Sequence, residues 1–433
     1  MVIKKHGIAM ESQIIPDEQL EALNLSNRYN FLNLNLQSLL NDKEMKLLKK
    51  VQRFCRKYEK TNEIYHDEDF YPWIKDFGEA NLITRSANFP EIDIDNGEMA
   101  GASMDFVRAI AVDQFDPQFN MGMGATVLAI NPVRHHHENR EACLNALKEM
   151  VTGAEPGCIL ITEPMKGSDS LRPDTVSKAE ADGSFTVNGV KCYNTNAPKA
   201  KWAVAYGCES PGDTKSMSQL LVDLHNDNGI TIERSYIPTV PRLYIGKETF
   251  VNTKVPTDRV LGGVGKGREY QFEGLVPERI GIAALNCAEL WTGFSIAAIY
   301  CNLRKQMGQE IIKHQGVGFT LTEWWSKLNV LTMAILSSAR AYDENCDEHG
   351  KLRPDLEAAY AVGASQLKYY SASLVERGIY ELANVMGGGG VNDNTLMKEL
   401  LGISRIQEIV GGTRQIQQYV MGGFLRKLWK MSS

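Results

Sequence analysis

The run Ile161-Thr162-Glu163-Pro164-Met165-Lys166-Gly167-Ser168-Asp169 puts a strand end, a forced turn and several small donors into one loop. Cys158 to Ile161 is a short apolar β run, Pro164 ends it, and Gly167, Ser168 and Asp169 can turn N–H groups and hydroxyls toward a planar or anionic ligand. An ordinary surface turn after a buried strand has the same composition. A second candidate is Glu278-Arg279, directly behind Gly274-Leu275-Val276-Pro277. Pro277 suits the first turn of a helix, and an acid in that turn is favoured by the helix dipole whatever else it does. Arg134-His135-His136-His137 has the composition of a metal site, but three adjacent histidines on a helix point in different directions, so no metal is expected.

These candidates need scaffolds, and a chain of 433 residues that is 43% hydrophobic can bury more than one core. Residues 1–39 read as an N-terminal extension, with an Asn/Leu-rich piece from Asn24 to Leu36. Helical periodicity then dominates residues 40–155. Asn41-Asp42 can cap a helix through Met45, Leu47, Leu48, Val51, Phe54 and Cys55, and further helices are expected at Met104 to Asp113, Phe119 to Ile130 and Glu138 to Val151, with breaks at Pro117 and Pro132. Alternation and frequent turns mark residues 156–270 as β, with an Asn188-Gly189 hairpin between Phe185-Val187 and Val190-Cys192. Residues 271–433 return to long amphipathic helices, starting near Pro277 and continuing at about Gly318 to Asn345, Pro354 to Met386 and Ile403 to Leu428. The expected fold class is α+β multidomain: an N-terminal helical domain, a middle small β-barrel and a C-terminal four-helix bundle.

The net charge of -6, with both signs interspersed, leaves no basic footprint for nucleic acid. No uninterrupted apolar run reaches the roughly 20 residues a bilayer helix needs, so membrane insertion is not expected. The cysteines are scattered, with no close pairs at zinc-ligand spacing, and read as the reduced thiols of a cytoplasmic protein.

In this order of elements, a set of motifs resembles the acyl-CoA dehydrogenase family from about Leu40 to Lys427. They are Leu160-Ile161-Thr162-Glu163-Pro164 with Gly167-Ser168-Asp169, Val187-Asn188-Gly189-Val190-Lys191 with Tyr193-Asn194-Thr195-Asn196-Ala197, and Val255-Pro256 with Leu261-Gly262. Glu278-Arg279, Tyr300 with Arg304 and Gly308, Gly387-Gly388 and Gly412-Thr413 complete the set. The resemblance implies FAD held between the β domain and the bundle, in a homotetramer. Thr162 and Ser168 would lie along the flavin, Thr195 near its N5, and the Tyr193 ring over the isoalloxazine. Arg304 and Gln315 would reach the dinucleotide of a neighbouring subunit, Gly387 and Gly388 its pyrophosphate, and Thr413 and Gln415 would finish the site. Glycine lets backbone approach phosphate, arginine offers a fixed fork of donors, and hydroxyls satisfy ring nitrogens without adding charge.

The reaction so implied is α,β-dehydrogenation of an acyl-CoA thioester, the α-proton going to a carboxylate and the β-hydride to flavin N5, with electrons passed on to an electron-transferring flavoprotein. Many members of the family carry the base immediately before the last Gly-Thr, where this chain has Gly411. Glycine takes no proton. A subset that includes the isovaleryl-CoA and long-chain enzymes carries it on the first bundle helix, which points to Glu278, with Gly411 leaving it room. Ser168, Arg279, Gly411, Met121 and Gly124 would then contact substrate, with Gln118 and Met123 helping to shape the acyl pocket. No arginine stands in that segment, which argues against a dicarboxylic acyl group. Enoyl-CoA reduction uses the same residues in reverse. A flavin oxidase or monooxygenase on this scaffold, or a non-catalytic flavoprotein, are the rival expectations.

Overall fold

The computed structural model describes residues 4–5, 8–9, 15–59, 70–85, 87–347, 350–392 and 394–432. After a short antiparallel pair of Lys4–Lys5 with Ile8–Ala9 come α1 (Asp17–Ala22) and α2 (Leu25–Leu36), and the latter is packed into the core. Tyr29, Leu32 and Leu36 are fully buried, and the Tyr29 hydroxyl donates to the Ala111 carbonyl at 2.9 Å. Next come α3 (Asp42–Cys55) and α4 (Tyr71–Glu79). The start of α3 is fixed by a reciprocal cap: Glu44 N–H donates to the Asn41 side chain at 3.0 Å, and Asn41 N–H to the Glu44 carboxylate at 2.9 Å. The apolar face read from the sequence, Leu47 to Cys55, is the buried face.

Two core helices follow, α5 (Ala102–Phe115) and α6 (Pro117–His136), and then α7 (Glu141–Val151). Asp116 caps α6, accepting from Phe119 N–H at 3.0 Å, and Pro117 occupies the first turn, where its missing N–H costs nothing. Pro132 does not end the helix as expected. It lies inside α6, which continues to His136.

The β region has two sheets. In the first, β1 (Gly157–Leu160) pairs in parallel with β4 (Trp202–Gly207), which pairs antiparallel with β5 (Ser218–Asp223). In the second, β2 (Val176–Ala179), β3 (Phe185–Thr195), β7 (Ile245–Val255) and β6 (Ile230–Ser235) lie side by side in that order, all antiparallel. A bridge between Val176 and Cys208 links the sheets, so the expected barrel takes the form of two joined sheets. The Asn188-Gly189 hairpin is absent. β3 runs straight through this dipeptide, with a register shift against β7 between Val187 and Gly189. Gly189 has a φ of 156°, and a Cβ there would stand 2.6 Å from the Thr175 hydroxyl, so the glycine serves a bulge in a continuous strand rather than a turn.

The bundle comprises α8 (Gly267–Leu303), α9 (Gln315–Glu344), α10 (Glu357–Met386), α11 (Met397–Ile409) and α12 (Arg414–Ser432). α8 begins ahead of the expected point, so Pro277 is internal and Glu278 is not a first-turn acid. The dipole explanation for that residue lapses. α8 is long and apolar enough to cross a membrane, but its apolar stretch is buried in the core between its neighbours. The last expected helix is broken into α11 and α12 at Gly411 and Gly412, whose φ values of 63° and 92° end the helical path.

Candidate active site

Glu278 projects from α8 into a cavity of about 180 Å³, lined also by Thr195, Met121, Gly124, Ile282 and Val410. Three elements bear on its carboxylate, two by contact and α10 by its charge. α8 supplies Glu278 itself, the corner between α11 and α12 supplies Gly411, and α10 supplies Lys368. A Cβ built on Gly411 would come within 2.2 Å of Ile282 Cδ1 and 3.4 Å of Glu278 Oε1. No side chain fits at Gly411 while Glu278 and Ile282 hold their places.

The corner is pinned by buried donors. Lys368 Nζ donates to the Glu408 carbonyl at 2.7 Å and the Gly412 carbonyl at 2.8 Å, and Gln417 Nε2 donates to the carbonyls of Gly411 at 3.0 Å and Gly412 at 2.9 Å. Each satisfies carbonyls left open where a helix ends. Lys368 is fully buried, and burial pushes its ammonium down to about 8. Burial likewise pushes the Glu278 carboxyl up to about 7, while the positive charges of Arg279 and Lys368 pull it the other way. The result is a carboxyl poised near neutrality on an apolar wall. Arg279 is directed elsewhere: it is buried, donates to Ser365 Oγ at 3.0 Å and is not among the cavity's lining residues.

Thr195 reaches the same cavity from the end of β3. Its neighbour Asn196 anchors that end on α6, with Nδ2 donating to the Gly122 carbonyl at 2.8 Å and Oδ1 accepting from the Tyr71 hydroxyl at 2.7 Å. The loop after β1 is held by Glu163, which accepts from Asp174 N–H at 2.6 Å, Thr175 N–H at 3.0 Å and Lys191 Nζ at 2.8 Å. Hydrogen bonds from these donors, with the Lys191 charge, keep the Glu163 carboxyl below the usual range despite burial. Glu163 is therefore fully engaged in building the loop. The Thr162 carbonyl accepts from Cys192 N–H at 2.9 Å, which brings the loop against β3. There Tyr193, with a φ of 60° at a second bulge, is turned out to 69% exposure, and Ser168 is exposed on the loop.

The remaining predicted residues lie outside the cavity. Arg304 ends α8 and the exposed Gln315 begins α9. Gly387 and Gly388 follow α10 with open space where a Cβ would be, and a Cβ on Gly389 would stand 3.0 Å from the Tyr300 hydroxyl, one turn from Arg304, so these groups share one end of the bundle. Thr413 and Gln415 open α12 beside the Gly411 corner. Of the residues expected to shape the acyl pocket, Met121 and Gly124 line the cavity but Gln118 and Met123 do not. Gln118 is tied up with Glu399 at 2.7 Å and Arg242 N–H at 3.0 Å, and Met123 is a fully buried core residue. His135 and His136 approach Glu273 at 3.1 and 3.6 Å, while His137 faces Glu91 at 3.9 Å, so the triplet divides between two carboxylates. Sequence reasoning missed Lys368 and Gln417, because a lysine or glutamine on an amphipathic helix carries no mark of burial. It also missed Arg108, Asn131 and Arg134, which line the cavity.

Two family models match the chain: "Acyl-CoA dehydrogenase, middle domain" over residues 158–241 and "Acyl-CoA dehydrogenase, C-terminal domain" over residues 265–423. An acyl-CoA dehydrogenase of Bacillus subtilis is 24% identical over 397 residues, spanning 88% of this chain and 97% of that protein. The CarC subunit of the caffeyl-CoA reductase-Etf complex of Acetobacterium woodii is 25% identical over 282 residues, spanning 65% of this chain and 71% of that protein. Among solved structures, butyryl-CoA dehydrogenase from Megasphaera elsdenii superposes with a TM-score of 0.80 at 21% identity, covering 89% of this chain and 98% of that one.

Proposed function

The chain belongs to the acyl-CoA dehydrogenase family of flavoprotein oxidoreductases, and from that premise we propose that Glu278 is the base that takes the α-proton of its acyl-CoA thioester. The observation that carries this reading is the fit between Glu278 and Gly411. The corner position immediately before Gly412-Thr413 is filled by glycine, and the Glu278 carboxylate lies 3.4 Å from where a Cβ would be. Poised at about 7, the carboxyl is ionised in a large fraction of molecules near neutral pH and is basic enough to hold a proton once taken. Ile282, Val410 and Met121 give the cavity an apolar wall, which slows exchange of the captured proton with solvent.

The edge beside the cavity fits a flavin. Tyr193 presents an uncovered ring, Thr195 brings a hydroxyl to the cavity, and the Thr162–Ser168 loop lies alongside. Gly387 and Gly388 leave their backbone open to a phosphate, and Arg304 stands at the same bundle end. Those residues, with Gln315, Thr413 and Gln415, would hold FAD, the adenine half reaching a second copy of the chain in a homotetramer. Exposed Phe319, Tyr380 and Tyr419, at 67%, 68% and 75%, are apolar surface that such an assembly would cover. FAD supplies the two-electron acceptor of the reaction. The onward partner is an electron-transferring flavoprotein, a reading supported by the Etf complex named for the Acetobacterium relative. That relative's name also supports the reductive direction, enoyl-CoA to acyl-CoA, in which Glu278 gives its proton back to the α-carbon.

Replacing Glu278 with glutamine tests the assignment. The variant is expected to keep its flavin, with an unchanged visible spectrum, and to lose turnover by about a thousandfold or more, at the upper end for a positioned acid or base. Turnover at the wild-type rate would remove Glu278 from the chemistry.

A further inference from the structure

The cavity that holds Glu278 has a second polar end. On α6, Met121 lies beside the Asn196 anchor that fixes Thr195, and Arg134 lines the same cavity further along that helix, roughly 20 Å away at 1.5 Å per residue. Near Arg134 the lining turns from apolar to charged, with Asn131 from α6, Asp105 and Arg108 from α5, and Tyr342 from α9. The charges acting on Glu278 come from Arg279 and Lys368, so this cluster is separate from the base.

Its buried donors are not all matched. Asp105 is the carboxylate among these lining residues and is already engaged: Oδ1 accepts from Arg85 N–H at 2.6 Å, and Oδ2 from Thr84 Oγ1 at 3.0 Å. Arg108 Nε reaches Oδ1 only at 3.4 Å, while its Nη1 is buried with no acceptor, on a residue that is 4% exposed. Asn131 Oδ1 is also buried and unmatched, and the amide turned end for end would offer two N–H donors instead. A second guanidinium, that of Arg134, lines the cavity beside them. Leaving a charged donor dry and unmatched costs more than a typical hydrogen bond gains, so the arrangement calls for an acceptor brought by a ligand.

We infer that this end of the cavity binds a carboxylate at the far end of the acyl chain, which makes the substrate class ω-carboxyacyl-CoA thioesters. A carboxylate matches the guanidinium fork of Arg108, supplies the acceptor its buried Nη1 lacks and leaves the apolar middle of the cavity to the methylenes. A hydrocarbon end would leave Arg108 Nη1 desolvated and without an acceptor. The inference rests on the reading of this cavity as the acyl site with Glu278 as base. It reverses the expectation drawn from residues 118–124, because the arginines come from α5 and from the last turn of α6.

The test mixes the flavin-loaded enzyme anaerobically with glutaryl-, adipyl- and suberyl-CoA, and with pentanoyl-, hexanoyl- and octanoyl-CoA, following bleaching of the flavin and then kcat/KM. At least one carboxylated thioester is expected to beat its straight-chain counterpart by about tenfold or more, the scale of one charge-assisted hydrogen bond. In Arg108→Met that ratio is expected to fall toward one, and Arg134→Met gives a second reading if Arg108→Met does not fold. Straight-chain thioesters equal to or better than the carboxylated ones in the wild-type enzyme would overturn the inference while leaving the dehydrogenase reading intact. Failure of all six to bleach the flavin would overturn that reading, and the inference with it.

Discussion

At the residue scale the site depends on a buried lysine as much as on the acid that lines the cavity. Lys368 does two things at once: it ties the Glu408 and Gly412 carbonyls, and its charge opposes the upward push of burial on Glu278. Glu278 works as a carboxylate, so kcat/KM should rise with pH and level off above a midpoint near its pKa of about 7. Lys368→Met removes the cation, lets the Glu278 pKa climb and should move that midpoint to higher pH. It also strips two carbonyls of their charged donor, for a destabilisation of roughly 2–4 kcal/mol. A lower melting temperature with an unmoved pH midpoint would show that the lysine is structural only. Glu278 and Gly411 were legible in the sequence as a coupled pair, because one vacancy and one acid explain each other. Lys368 was not, because nothing in the spacing of α10 separates a lysine that faces a helix end from one that faces water.

At the element scale the critical piece is the corner between α11 and α12, which the sequence suggested was continuous helix. Periodicity persists across the break, so it hides the two positive-φ glycines that end one helix and aim the next. Gly411→Ala should cost about 1 kcal/mol for the left-handed backbone and about 1–3 kcal/mol for crowding Ile282, while pressing on the carboxylate of Glu278. Turnover should fall more than flavin content. Ile282→Val removes the Cδ1 atom that the new methyl would strike, so the double variant should recover part of the lost kcat. A double variant no better than Gly411→Ala would mean that strain in the backbone, not contact with α8, sets the effect. The same limit of pattern reading explains the Asn188-Gly189 dipeptide. Its turn chemistry is satisfied equally by a bulge, and the long partner β7 decides the matter by pairing with β3 on both sides of it.

At the scale of the whole molecule the three regions meet in one buried polar knot that no local pattern announced. Arg242, on the segment between β6 and β7, pairs with Asp116 at the α5–α6 junction and reaches Glu399 on α11 at 3.3 Å. Gln118 closes the ring, accepting from Arg242 N–H at 3.0 Å and donating to Glu399 at 2.7 Å. Because Arg242, Asp116, Gln118 and Glu399 are all buried, the knot contributes orientation more than net energy while intact. Breaking it is another matter, since two buried carboxylates would lose the guanidinium that balances them. Arg242→Met should therefore destabilise by roughly 3–5 kcal/mol. Its effect should fall on the docking of the regions rather than within any one of them. Calorimetry should show the wild-type transition divide into separate steps, with flavin released in the first, because the cavity draws Thr195 from the β region, Met121 from α6 and Glu278 from α8. A single transition at the wild-type temperature would mean that the apolar contacts between the helices hold the regions together without the knot.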